Sequence, residues 1–149
     1  MSAHNSALPL SRSQAATSTA VSGLVTFVGR VFFVLIFLLS GPRHFTSGVI
    51  GYAASQGVPL ASIAVPFSGL LAILGGLSIL LGYRAKIGGW LIALFLIAIT
   101  PMIHKFWVVT DPMAYQTQFI MFMKNLSMLG GALLISQLGS GPWSLDGGK

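Results

Sequence analysis

Two histidine–cation pairs and two cations inside apolar runs are the residues of this chain whose types could do chemistry. His44 follows Arg43 at the end of "LIFLLSGPRH", and His104 precedes Lys105 in "PMIHKFW". Histidine changes charge near neutral pH, so His44 and His104 suit hydrogen bonding to a ligand or proton carriage. Arg30 sits midway along the first apolar segment. Lys124, followed by Asn125, lies about two turns into the last. A helix starting after Arg30 would leave only Val31 to Gly41, far short of the roughly 20 residues that cross a bilayer. Arg30 is therefore expected inside the membrane, at a cost of about 2.5–3.5 kcal/mol on insertion scales. For Lys124 the plainer alternative is snorkelling to the nearer surface.

Neither cation has an acid nearby in its own segment. The chain has no glutamate, and Asp111 and Asp146 are its only carboxylate side chains. The partners of Arg30 and Lys124 must then be backbone carbonyls, polar side chains, water, a lipid phosphate, an anionic or carbonyl-bearing ligand, or another subunit's carboxylate. The same shortage rules out glycosidase carboxylate pairs and carboxylate-bridged di-metal sites. Cysteine is absent, which removes disulfides, thiolate metal sites and iron–sulfur clusters held by this chain. Two histidines at one face could be axial haem ligands, but their spacing does not demand it. Neither haem nor a metal centre is expected.

Membrane helices must position these residues. The 149 residues are 54% hydrophobic and 7% charged, with mean hydropathy +0.86. A soluble domain carries about 25% charged residues, so this chain could not cover its surface in water. The length allows one domain. The net charge of +6 is spread thinly through apolar sequence and makes no basic patch, which argues against nucleic acid.

Residues 1–20 are Ser/Ala/Thr-rich and predict a mobile cytoplasmic tail. They lack the charged n-region of a signal peptide, so the first apolar segment is expected to be retained. Spans are expected over 21–41, 61–81, 87–103 and 117–138, with a C-terminal tail over 139–149. The fold class is thus all-α, a four-helix membrane bundle. Between the first two spans, Phe45, Val49, Ile50 and Tyr52 predict a short interfacial helix. Ala64, Ser68, Ala72 and Gly76 recur every four residues, and Ser127 and Gly131 repeat that spacing. Such rows mark close helix contacts in lipid. Arg12, Arg84, Lys86 and Lys149 fall on one side of the membrane and Arg43 and Lys105 on the other, which puts both termini in the cytoplasm. The second and third spans return the chain to its starting side, so His44 and His104 should meet at one mouth.

The chain resembles the DoxX family of small bacterial and archaeal membrane proteins. The matching stretches are "GRVFFVLIFLLSGPRHF" (29–45), "GYAASQGVPL" (51–60), "GLLAILGGLSILLGYRAKIGGWLIALFLI" (69–97), "HKFW" (104–107), "MKNLSMLGGALLI" (123–135) and "GPWSLD" (141–146). In the family a lysine often stands where Arg43 or His44 stands here. The resemblance implies a four-helix bundle in the bacterial inner membrane. It also implies an association with redox chemistry, as a small subunit of a quinone-linked oxidoreductase or a terminal oxidase.

Two readings of different kinds follow. In the first, the chain binds a quinone through Arg30, Arg43, His44, His104, Lys124 and Asn125, and other redox subunits carry the electrons. In the second, it is a non-catalytic scaffold whose buried cations pair with a partner's carboxylates. A carrier of a small anion or lipid is a weaker third, since four spans without inverted repeats argue against an autonomous transporter. Membrane lipids are partners in all three.

Overall fold

The computed structural model describes residues 12–147. Within them α1 (Arg12–Ser40) leads through a 3-10 turn (Gly41–Phe45) into the short α2 (Ser47–Ser55). Then follow α3 (Ala61–Leu81), α4 (Ala85–Ile103), a second 3-10 turn (Phe106–Val108) and α5 (Pro112–Leu138). Among the described residues four stretches are long and apolar enough to cross a bilayer: Thr19–Phe45, Ala61–Leu81, Ala85–Val108 and Pro112–Leu138. The all-helical four-span architecture expected from the sequence is present. So is the short helix between the first two spans, as α2.

Two boundaries move. Helix α1 already begins at Arg12, so residues 12–20, expected as tail, are helical; residues 1–11 lie outside the described residues. Helix α5 begins at Pro112 rather than near Thr117. Its start is set by Asp111, whose side chain accepts from the Ala114 N–H at 2.8 Å, with Pro112 in the first turn. Side-chain capping followed by proline is a strong start signal, because both deal with amide groups that lack helical partners.

The helices pack in the order α1, α3, α4, α5. Helix α1 also touches α5 where Gly131 faces the Phe33 ring. Val34 and Phe37 of α1 meet Ala72 and Ile79 of α3, Ile92, Phe95 and Leu96 of α4, and Ala132 of α5 in the main core. Phe37 stands edge-on to Phe95, with centroids 6.0 Å apart. Outside this core large apolar side chains such as Phe32, Leu39 and Leu134 are exposed. In a membrane helix such faces meet lipid, and packing of small residues supplies the association.

Glycine contacts fix the register. A Cβ on Gly76 would lie 2.8 Å from the Leu38 side chain, and one on Gly69 would lie 2.6 Å from His44 Cβ. Gly75 approaches the Gly88 carbonyl, and Gly89 the backbone of Ala132 and Ser136. The four-residue row on α3 is therefore divided. Ala72 and Gly76 pack helices together, whereas Ala64 and Ser68 face a cavity.

Helix α3 ends in a Schellman turn. Tyr83 N–H bonds to the Ser78 carbonyl and Gly82 N–H to that of Ile79, with Gly82 left-handed at φ 64°. The segment after α5 then folds back on this turn. Leu145 N–H donates to the Leu81 carbonyl, Asp146 N–H to that of Gly82, and the Asp146 carboxylate accepts from Arg84 N–H. The expected C-terminal tail is thus docked as far as residue 147.

Candidate functional site

The Gly41–Pro42 break builds the site. Proline lacks the N–H that would continue α1, and the chain tightens into the 3-10 turn that carries Arg43 and His44. Gly41 lies against Ile73 and Gly69 against the Gly41 carbonyl, so the turn seats directly on α3. His44 is pressed into the bundle, its ring 5.7 Å from that of Phe95. Gly69 follows Ala61 by eight positions and Phe95 precedes Ile103 by eight. His44 therefore sits about 12 Å inside the ends of α3 and α4, at 1.5 Å per residue. From there α2 climbs to the level of Ala61, where Lys105 Nζ donates to the Gln56 carbonyl at 2.7 Å.

Between α2, α3 and α4 this leaves a cavity of about 290 Å³. Val49 and Val58, Ala64 and Val65, and Ile99 and Met102 supply apolar wall on its three sides. His44, Tyr52 and Ser68 are its polar groups. Ser68 donates its hydroxyl to the Val65 carbonyl at 2.7 Å. His44 Nδ1 lies 3.1 Å from the Ser40 carbonyl. A carbonyl only accepts, so Nδ1 carries hydrogen and Nε2 is the acceptor of the neutral ring.

His104 shares this end of the bundle but turns to the other side of α4. Its Nδ1 donates to Gln118 Oε1 on α5 at 2.8 Å. One turn earlier on α4, the Thr100 hydroxyl oxygen accepts from Asn125 Nδ2 at 3.2 Å, both residues being buried. His104 and Asn125 thus form two rungs of a polar seam between α4 and α5. Thr100 and Gln118 do not stand out in the sequence, because a lone threonine or glutamine carries no signal until its partner helix is known. Lys124 is exposed, and 3.1 Å from Met121 Sδ it faces away from the seam. Arg43 is exposed on the outer side of α1.

Arg30 lies at the opposite end. The glycine register sets it level with Gly82, about 20 Å along α1 from His44. It stands near the α3–α4 turn, not midway through the bundle as its place in the sequence suggested, because α1 extends well beyond that turn. Arg30 is 5% exposed, donates from Nη2 to the Trp143 carbonyl and rests against the Phe27 ring at 5.7 Å. The six residues expected to share one site are therefore distributed. His44 lines the cavity, His104 and Asn125 form the seam, Arg43 and Lys124 face outward, and Arg30 holds the C-terminal segment. Among the described residues no group of three or more histidine, cysteine or acidic side chains could hold a metal ion.

No solved structure matches the chain. It is 28% identical over 129 residues to inner membrane protein YphA of Escherichia coli (strain K12), covering 85% of this chain and 91% of that protein. Inner membrane protein YqjF of the same organism is 31% identical over 121 residues, covering 80% and 87%. The DoxX family model matches residues 25–105, the stretch holding the break, the cavity walls and the α3–α4 turn. This integral membrane protein belongs to the DoxX family.

Proposed function

We propose that this protein is a small subunit of a quinone-linked oxidoreductase complex in the bacterial inner membrane. In this reading a quinone or quinol ring occupies the cavity beneath α2. The observation that carries the reading is His44, a histidine with one nitrogen engaged, set with Tyr52 and Ser68 in a cavity otherwise walled by apolar side chains among membrane helices. A lipophilic ring needs apolar walls and one or two polar groups to orient it. The volume of about 290 Å³ suits a single substituted ring. With Nδ1 bonded to Ser40, neutral His44 accepts at Nε2 from a quinol hydroxyl and offers nothing to a quinone carbonyl. Tyr52, whose hydroxyl donates, meets the carbonyl of the oxidised form, so the two side chains orient the ring in either state. On oxidation the quinol's two electrons pass to a redox centre on a partner subunit, and its two protons leave through His44 Nε2 and solvent.

The cation count supports both termini in the cytoplasm, which places the cavity towards the periplasmic side. The scaffold reading loses support at Arg30, because a partner's carboxylate would first have to displace the chain's own C-terminal segment.

The test is the ultraviolet spectrum and lipid extract of gently purified protein. Co-purified quinone in the wild type, lost in His44→Ala and in the cavity-filling Ala64→Phe, supports the reading. A quinone-free wild type that remains so after incubation with a ubiquinone or menaquinone analogue refutes it.

A further inference from the structure

A second concavity lies on the outer face of α1, away from the cavity. Phe32, Leu35, Ile36, Leu39 and Ser40 form a shallow groove of about 370 Å³ that ends on Arg43. Arg43 adjoins His44, so it too stands about 12 Å inside the ends of α3 and α4. Yet its side chain is exposed on the lipid-facing side. A cation held that deep on a lipid-facing surface is costly, and the cost falls when it meets an anion or draws headgroups and water inward. The chain's own carboxylate side chains are engaged elsewhere. Asp146 is bonded to Arg84 N–H at the other end of the bundle, and Asp111 caps α5.

We propose that this groove holds one acidic phospholipid, its phosphate on the Arg43 guanidinium and an acyl chain along Phe32, Leu35, Ile36 and Leu39. Charge and shape both select this occupant. A phosphodiester's two non-bridging oxygens, which share one negative charge, match the planar guanidinium fork, and paired charge-assisted bonds are the strongest such a group makes. A headgroup without a choline ammonium keeps that charge uncompensated for Arg43. The groove from Phe32 to Arg43 follows about 16 Å of helix, over which one extended acyl chain can lie. The lipid headgroup sinks towards Arg43 while the arginine reaches up to it, a local thinning known to relieve buried cations.

The experiment is native mass spectrometry of protein released from nanodiscs of equal phosphatidylglycerol and phosphatidylcholine. Wild type should keep one phosphatidylglycerol over phosphatidylcholine by about tenfold, a difference in affinity of about 1.4 kcal/mol. Arg43→Gln should bring that ratio to about one, and Arg43→Lys should retain part of it. Ile36→Trp, which fills the groove and keeps the charge, should also lose the lipid. Arg84→Gln, at the opposite end, should match wild type. Size-exclusion profile and helicity confirm that each variant is folded. Equal retention of both lipids by wild type would overturn the proposal, as would full phosphatidylglycerol preference in folded Arg43→Gln. A wild-type dimer that Arg43→Gln splits without changing lipid content would also overturn it, assigning Arg43 to a second copy of the chain.

Discussion

Arg30 donates from Nη2 to the main-chain carbonyl of Trp143, 113 positions later in the chain. One buried cation thereby ties the segment after α5 to α1, beside the Schellman turn at Gly82. Its Nε and Nη1 have no partner among the described residues, so the arginine gives up hydration at two nitrogens to make this one bond.

That balance predicts an unusual mutant. Arg30→Leu removes a charged hydrogen bond of about 1.5–3 kcal/mol together with two costly unpaired groups. The bundle's thermal midpoint should change little, while amide exchange at 144–147 should accelerate by about 10- to 100-fold. Arg30→Lys keeps a charge but lacks the planar fork and should release the segment as well. Hydrogen–deuterium exchange by mass spectrometry checks both, and wild-type protection in Arg30→Leu would show that the segment is held by its other contacts alone.

Gly69→Ala should act on the cavity. The new Cβ would lie 2.6 Å from His44 Cβ and 2.9 Å from the Gly41 carbonyl, so the 3-10 turn must move off α3. Overpacking of this kind costs about 1–3 kcal/mol. We expect a lower unfolding temperature in detergent and loss of any ligand from the cavity. By contrast Gly130, with open space around its Cα, should accept alanine without loss of stability.

The Thr100–Asn125 rung is measurable by a double-mutant cycle. Interhelical hydrogen bonds in membrane proteins average about 0.6 kcal/mol and reach about 1.7, and this one is buried on both sides. Thr100→Val and Asn125→Leu should each destabilise the bundle, with a coupling of about 0.5–1.5 kcal/mol. A coupling of zero in chemical unfolding would mean that the two side chains act independently.

The two histidines should separate in function although they share an end of the bundle. His44→Ala removes the imidazole from the cavity and should abolish quinone retention. His104→Ala breaks the bond to Gln118 across the α4–α5 seam and should lower stability while retention persists. Lys124→Leu should affect neither, because the lysine faces out. Quinone content of purified variants is the measurement.

Four crossings, the short helix after the first and the break at Gly41–Pro42 were determined by the sequence itself. Apolar run length and the missing proline N–H are properties of a stretch of chain, independent of its neighbours. Apolar run length put the start of α5 near Thr117, whereas the cap at Asp111 and the proline after it start the helix at Pro112. Which residues share a site was decided only by tertiary structure. Lys124 and Asn125 are adjacent, yet about 100° of helical rotation per residue sends one outward and the other to Thr100, and the position of α4 determines which. Arg30 appeared central because depth was counted along its own segment. Its true level is set by α1 sliding on α3 until Gly69 and Gly76 accept His44 and Leu38, a register that no single helix contains. The fold-back of "GPWSLD" onto Arg30 and Gly82 was illegible for the same reason. That segment has no periodicity, and its partners are distant carbonyl and N–H groups that come within reach only once the bundle has formed.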